Sequence, residues 1–188
     1  MRLANLTWPQ AKKVLAQDPV VIFPIGTAEQ HGRHLPLGTD MIAPEYIADR
    51  IEAMEPDVLI LPSWSYGQCD SQTEFPGTIS LGPQLLYEVI YKVFSGLMKH
   101  GARRFIALNG HGPNTGPIER AALELSRRGA SLACLNWWRY AVSGADEDHA
   151  GLSCARCAPL RGAQRARRQH SCAGSGGAGL AATGLYAG

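Results

Sequence analysis

Four short apolar runs, each separated from the next by a stretch with helical periodicity, constrain the fold of this chain more than any other feature. The runs are PVVIFPIG (19–26), VLILP (58–62), RFIALN (104–109) and ASLACLNWW (130–138). Each is short and bounded by turn residues, and reads as a buried strand. Between them lie helical segments. In 40–54, Ile42, Tyr46, Ile47, Ile51 and Met54 recur at helical spacing, and Pro44 fits only the first turn. Segment 83–101 opens on Pro83 and closes on Gly101, and 116–129 also ends on a glycine. The β-α-β-α-β-α-β alternation predicts an α/β fold: a mainly parallel sheet with helices on both faces. Right-handed crossovers bring the C-terminal ends of all its strands to one edge, where such sheets bind ligands.

Composition narrows the classes of function. The chain has 188 residues, enough for one domain with a real core, and 45% are hydrophobic. A net charge of +2 gives no electrostatic case for nucleic acid. No apolar run approaches the ~20 residues that span a bilayer, and the N-terminal stretch has no apolar signal core. The five cysteines form no disulfide or zinc pattern, and the Cys154/Cys157 pair has no second pair beside it. A reducing cytoplasm is the expected compartment. No GxGxxG or P-loop pattern follows any strand, which argues against a nucleotide-binding module.

The loop after the first strand carries EQHGRHLPLGTD, residues 29–40. Glu29 and His31 are two apart, so in an extended segment they share a face. Asp40 follows a proline-glycine turn and can fold back to them. The loop after the third strand, NGHGPNTG (109–116), supplies His111 between two glycines. Two carboxylates and two imidazoles suit Zn²⁺ or Mn²⁺ better than a thiolate-seeking metal. Asp40 can bridge two metals about 3.5–4 Å apart, or serve only as a helix N-cap. His34 is a candidate for orienting a neighbouring ligand. His100, at a helix end, reads as a residue suited to the helix dipole. In FPGTIS (75–80), Thr78 is a candidate for the wall of a substrate pocket, otherwise part of a simple turn. Trp137 and Trp138 alternate faces if the fourth strand runs through them, one in the core and one lining the pocket.

PIGTAEQHGRHLPLGTD, FPGTIS, NGHGPN and DHAG occur in that order. Together, over roughly residues 3–151, they resemble the creatininase family of metal-dependent amidohydrolases. The resemblance implies a three-layer α/β/α fold with a two-metal site, and assembly as a homo-oligomer, commonly a hexamer. It implies hydrolysis of a C–N bond in a small amide: a creatinine-like cyclic amide, a formamide or, in one branch, a small peptide. Carried over by motif, Glu29, His31, Asp40 and His111 are the metal ligands, with Asp40 bridging two divalent ions, Zn or Mn. His149 of DHAG is similar to the family's catalytic histidine, a general base or proton shuttle.

The departure comes immediately afterwards. The family continues from HAG into a glutamate-containing ExET segment that often completes the second metal site; here Leu152 stands where a glutamate is expected. From Gly151 on, the chain has no Asp, Glu, Lys, Val, Ile, Phe or Trp, and three Cys among many Ala, Gly and Arg. We therefore expect a creatininase-like domain over 1–151 and an aberrant tail over 152–188 that lacks apolar periodicity. The rival reading is an inactive homologue, or an assembly subunit that keeps the fold without full catalysis. Read from the third base of the Gly151 codon, GLSCARCAP allows SLMRALRP, which is similar to the run that follows HAGExET in the family. The expected result of sequencing the gene is a displaced frame near this codon. An uninterrupted frame reading GLSCARC in independent isolates contradicts that expectation.

Overall fold

The structure, a computed structural model, describes residues 1–140. The elements alternate: α1 Trp8–Leu15, β1 Val20–Ile25, α2 Thr39–Met54, β2 Leu59–Ile60, α3 Gly82–Met98, β3 Arg104–Asn109, α4 Thr115–Ser126 and β4 Ser131–Asn136. The four strands form one sheet in the order β2-β1-β3-β4, and every pairing is parallel. Val20–Ile25 stand level with Arg104–Asn109, which stand level with Ser131–Asn136, so three strands end together.

Period-two alternation divides the strand side chains between two cores. Val21, Phe23, Ile25, Leu59, Leu61, Phe105 and Ala107 pack with residues of α1, α3 and α4 on one face. On the other face Ile22, Ile60 and Leu108 pack with Ala48 of α2, flanked by Ile47, Ile51 and Trp137. The sheet thus lies between helices on both faces, as the alternation of apolar runs requires. Phe94 of α3 anchors the larger core, edge-on to Phe23 at 5.8 Å and tilted against Phe105 at 4.5 Å.

Helix α1 has no counterpart in the apolar pattern, but its start is a capping box. Thr7 and Gln10, three apart, cap each other's end of the first turn, and Pro9 sits inside it. β2 is shorter than the VLILP run, and Ile60 donates its N–H to the Met1 carbonyl. Arg2 forms ion pairs with Asp49 and Glu52 of α2. The fourth strand stops at Asn136; Trp137–Arg139 form a 3₁₀ turn, so the two tryptophans do not alternate along a strand.

Two glycines let α2 start against the strand ends. A Cβ on Gly26 would lie 2.6 Å from the Asp40 carbonyl oxygen, and one on Gly110 would collide with the same oxygen. Pro44, inside α2, has no N–H to offer that carbonyl four residues back. The Asp40 backbone therefore rests on the exits of β1 and β3, where a side chain at either glycine would stand. Gly110→Ala should destabilise the fold by about 2–3 kcal/mol through forced overpacking. Gly112→Ala, where an added Cβ meets nothing within 4 Å, should stay within about 0.5 kcal/mol. Urea unfolding of the two variants checks the contrast, and equal losses would contradict the close approach.

Candidate metal centre

Residues 26–38, between β1 and α2, fold back on themselves at the C-terminal ends of the strands. The Glu29 N–H donates to the Leu37 carbonyl, and the Thr39 N–H to that of Pro36. Segment 75–80 zips onto this loop: the Ile79 N–H donates to the Ala28 carbonyl, and the Gln30 N–H to the Thr78 hydroxyl at 3.1 Å. Asp40 enters from the first turn of α2, and His111 leaves the end of β3.

These elements bring four side chains together. Asp40 stands between two imidazoles, with Oδ1 3.0 Å from Nε2 of His31 and Oδ2 2.7 Å from Nδ1 of His111. Oε1 of Glu29 lies 3.4 Å from Nδ1 of His111 and 3.9 Å from Nε2 of His31. One ligand atom each from Glu29, His31 and Asp40 falls within 4.8 Å of the others. Ligands about 2.0–2.1 Å from a tetrahedral Zn²⁺ are themselves about 3.3 Å apart; the 3.0 and 3.4 Å spacings lie near that value, whereas the 2.7 Å contact of Asp40 with His111 is a hydrogen-bond distance.

The far side of each ring fixes its direction. Nδ1 of His31 lies 3.1 Å from the Glu29 carbonyl, and Nε2 of His111 lies 2.8 Å from the Gln68 carbonyl. A carbonyl only accepts, so when a cation takes the nitrogen that faces the carboxylates, the carbonyl-bound nitrogen carries the proton. The other nitrogen of a neutral ring then turns a lone pair toward the carboxylates. Lone pairs and anions facing one another repel unless a cation or a proton lies between them. An imidazole held from behind by a backbone carbonyl is the arrangement that orients a metal ligand. The donor set therefore fits a divalent cation.

The acid–base balance has the same sense. Burial raises the pKa of Glu29 and the Asp40 charge adds to it, while His111 and His31 pull it down; the net shift is upward. Burial lowers the pKa of His111, but the Asp40 hydrogen bond, the Gln68 carbonyl and the charges of Glu29 and Asp40 outweigh it, and the net shift is again upward. Both residues are held toward their protonated states, so the cluster attracts positive charge.

The remaining candidates are placed differently. His34 is exposed and makes no hydrogen bond to the cluster among the described residues. The Thr78 hydroxyl is engaged by the Gln30 N–H and so braces the Glu29/His31 loop. Trp137 packs against the α2-side core, while Trp138 is exposed and stands edge-on to it at 6.3 Å. His149 and Leu152 lie outside the described residues. Around the cluster, the buried amides of Asn109, Asn114 and Asn136 and the Gln68 carbonyl support His111. No local pattern in the sequence marks these amides, although Asn109 and Asn136 end neighbouring strands in register.

Fold and site together define the class: a parallel α/β protein with a carboxylate–imidazole cluster at its strand ends. A family model described as Creatininase, creatinine amidohydrolase, matches residues 4–171, past the last of the motifs quoted above. The creatinine amidohydrolase of Pseudomonas putida is 31% identical over 151 residues, covering 73% of this chain and 58% of its own length. The mycofactocin precursor peptide peptidase of Mycobacterium tuberculosis (strain ATCC 25618 / H37Rv) is 32% identical over 143 residues, covering 71% of this chain and 55% of its own. Solved neighbours include a Mn creatininase, with TM-score 0.67 and 29% identity over 77% of this chain and 61% of that one. A Zn-Zn type creatininase mutant has TM-score 0.64 and 30% identity over 74% and 58%. This protein belongs to the creatininase family. It spans less than two thirds of the length of these relatives.

The ring directions give a spectroscopic prediction. In ¹⁵N NMR of the Zn²⁺-loaded protein, His31 should show the Nδ1–H tautomer and His111 the Nε2–H tautomer. The same tautomer at both residues would contradict the carbonyl anchoring described above.

Proposed function

We propose that this protein is a metal-dependent amidohydrolase that cleaves the C–N bond of a small amide. The observation that carries the proposal is the pair of imidazoles, each anchored by a backbone carbonyl and each facing the same two carboxylates. A divalent Zn or Mn ion held by Glu29, His31, Asp40 and His111 would supply a Lewis acid for the substrate carbonyl and lower the pKa of a coordinated water.

The chain's own residues have distinct tasks in this reading. Glu29 and Asp40 supply the negative charge that holds the cation. Asp40 presents one oxygen to each imidazole, a disposition suited to bridging two ions. His31 and His111 fix the direction of approach, because their carbonyl partners leave only one nitrogen free. Thr78 acts at one remove, holding the backbone of Gln30 between two ligands. Trp138, exposed just beyond the end of β4, is the candidate for an apolar wall against the substrate. His149, in the DHAG motif, is the proposed proton carrier to the leaving nitrogen. We place the enzyme in a reducing cytoplasm, as a homo-oligomer.

A second reading, an impaired or inactive homologue, is favoured by one observation: Leu152 stands where the family motif leads to a glutamate. Loss of that carboxylate would leave a second ion short of a ligand, and a two-metal mechanism would weaken by orders of magnitude.

The test is metal content together with hydrolysis of creatinine, a formamide and a short peptide. The purified chain should retain or take up Zn²⁺ or Mn²⁺, and chelation should reduce hydrolysis at least ~100-fold. His31→Ala should abolish tight metal binding while circular dichroism and the unfolding midpoint stay close to wild type, because the ring lies in a loop outside the core. Hydrolysis that survives complete metal removal would overturn the proposal. Metal binding without hydrolysis of any amide would favour the second reading.

A further inference from the structure

We propose that Asn114 is a positioning residue that aims His111 into the cation site. This inference rests on the metal-centre reading above. Asn114 makes no hydrogen bond to the four ligand side chains, yet it joins the three segments that position them. It is fully buried, just before α4. Its Oδ1 accepts the Gln68 N–H at 2.9 Å. Its Nδ2 donates to the Gly26 carbonyl at 3.1 Å and, more distantly, to Oδ1 of Asn109 at 3.4 Å. The Gln68 N–H only donates and the Gly26 carbonyl only accepts, so the orientation of the amide follows from its partners.

Each of those partners leads to the cluster. Gly26 is the exit of β1 into the loop that carries Glu29 and His31. Asn109 Oδ1 accepts the His111 N–H at 3.1 Å, and Asn109 Nδ2 donates to the His111 carbonyl at 2.7 Å. The Gln68 carbonyl lies 2.8 Å from Nε2 of His111. The segment carrying Gln68 lies hard against Asn114: a Cβ on Gly67 would lie 2.5 Å from Asn114 Oδ1. The Gln68 peptide is thus held by Asn114 through its neighbour's close approach and its own N–H, and the same residue's carbonyl then holds the ring. Without the Asn114 amide, the Gln68 carbonyl would lose its fixed place. His111 could then turn, and Nδ1 would no longer be aimed at Glu29 and Asp40.

A general loss of stability and a specific loss of aim are separated by a double-mutant cycle. Zn²⁺ affinity of the full chain is measured by competition with a chromogenic chelator for wild type, Asn114→Ala, His111→Ala and the double variant. Asn114→Ala should lower affinity about 10–100-fold. In the His111→Ala background the same change should cost less than about twofold, since the ring it aims is gone. Equal losses in both backgrounds, or no loss in either, overturn the inference. Should Asn114→Ala fail to fold, or His111→Ala bind Zn²⁺ too weakly to measure, NMR of the wild-type chain decides. On Zn²⁺ addition the Asn114 side-chain amide and the Gln68 amide should shift in step with His111, and signals unmoved at saturation overturn the inference. A wild-type chain that binds no Zn²⁺ overturns the metal centre and this inference together. Wild-type binding that is insensitive to Asn114 overturns this inference alone.

Discussion

The seating of the Asp40 backbone on Gly26 and Gly110 is the contact on which the rest of the site depends. Those glycines end neighbouring strands, and the first turn of α2 lies where their side chains would be. The Asp40 carboxylate consequently reaches between a histidine from the loop after β1 and a histidine from the exit of β3. Pro44 is part of the same arrangement, since it packs by Gly110 and offers no N–H to the Asp40 carbonyl. A bulkier residue at either glycine would lift the helix and separate the two imidazoles from their shared carboxylate. The parallel sheet matters here because its strands end in register, which places both exits at one level.

On this platform the chemistry is set by direction more than by proximity. Acidic and imidazole side chains often gather at surfaces without holding an ion. What distinguishes this cluster is that both rings are pinned through the nitrogen that faces away from it. The pinning carbonyls belong to Glu29, itself a member of the cluster, and to Gln68, on a segment tied down by Asn114. Burial and mutual repulsion among the acidic groups then favour the uptake of positive charge, by protonation or by binding a cation. A divalent ion would meet both demands with one charge centre.

Much of this was legible in the sequence, and the reasons for the remainder are physical. The strands and the three crossover helices could be read because burial imposes apolar periodicity on every residue they contain. Convergence of Glu29, His31, Asp40 and His111 followed from topology, since both loops leave a parallel sheet at its C-terminal edge. Helix α1 escaped the apolar pattern because it buries little beyond Leu15; its signal is the Thr7–Gln10 capping pair. The orientation of Thr78 toward Gln30 and the support from Gln68, Asn114 and Asn136 left no periodic trace. They are single hydrogen bonds between residues far apart in the chain, and nothing local in the sequence marks which amide meets which. The 3₁₀ turn at Trp137–Arg139 was missed because the apolar run continues past the point where the strand ends.

The claim that these four side chains form one cation site is tested most directly by anomalous diffraction at the zinc edge from crystals grown with Zn²⁺. A peak is expected about 2.0–2.2 Å from Nε2 of His31, Nδ1 of His111, or both, with an Asp40 oxygen in the same range. Zinc bound elsewhere, or through Nδ1 of His31 or Nε2 of His111, would contradict it.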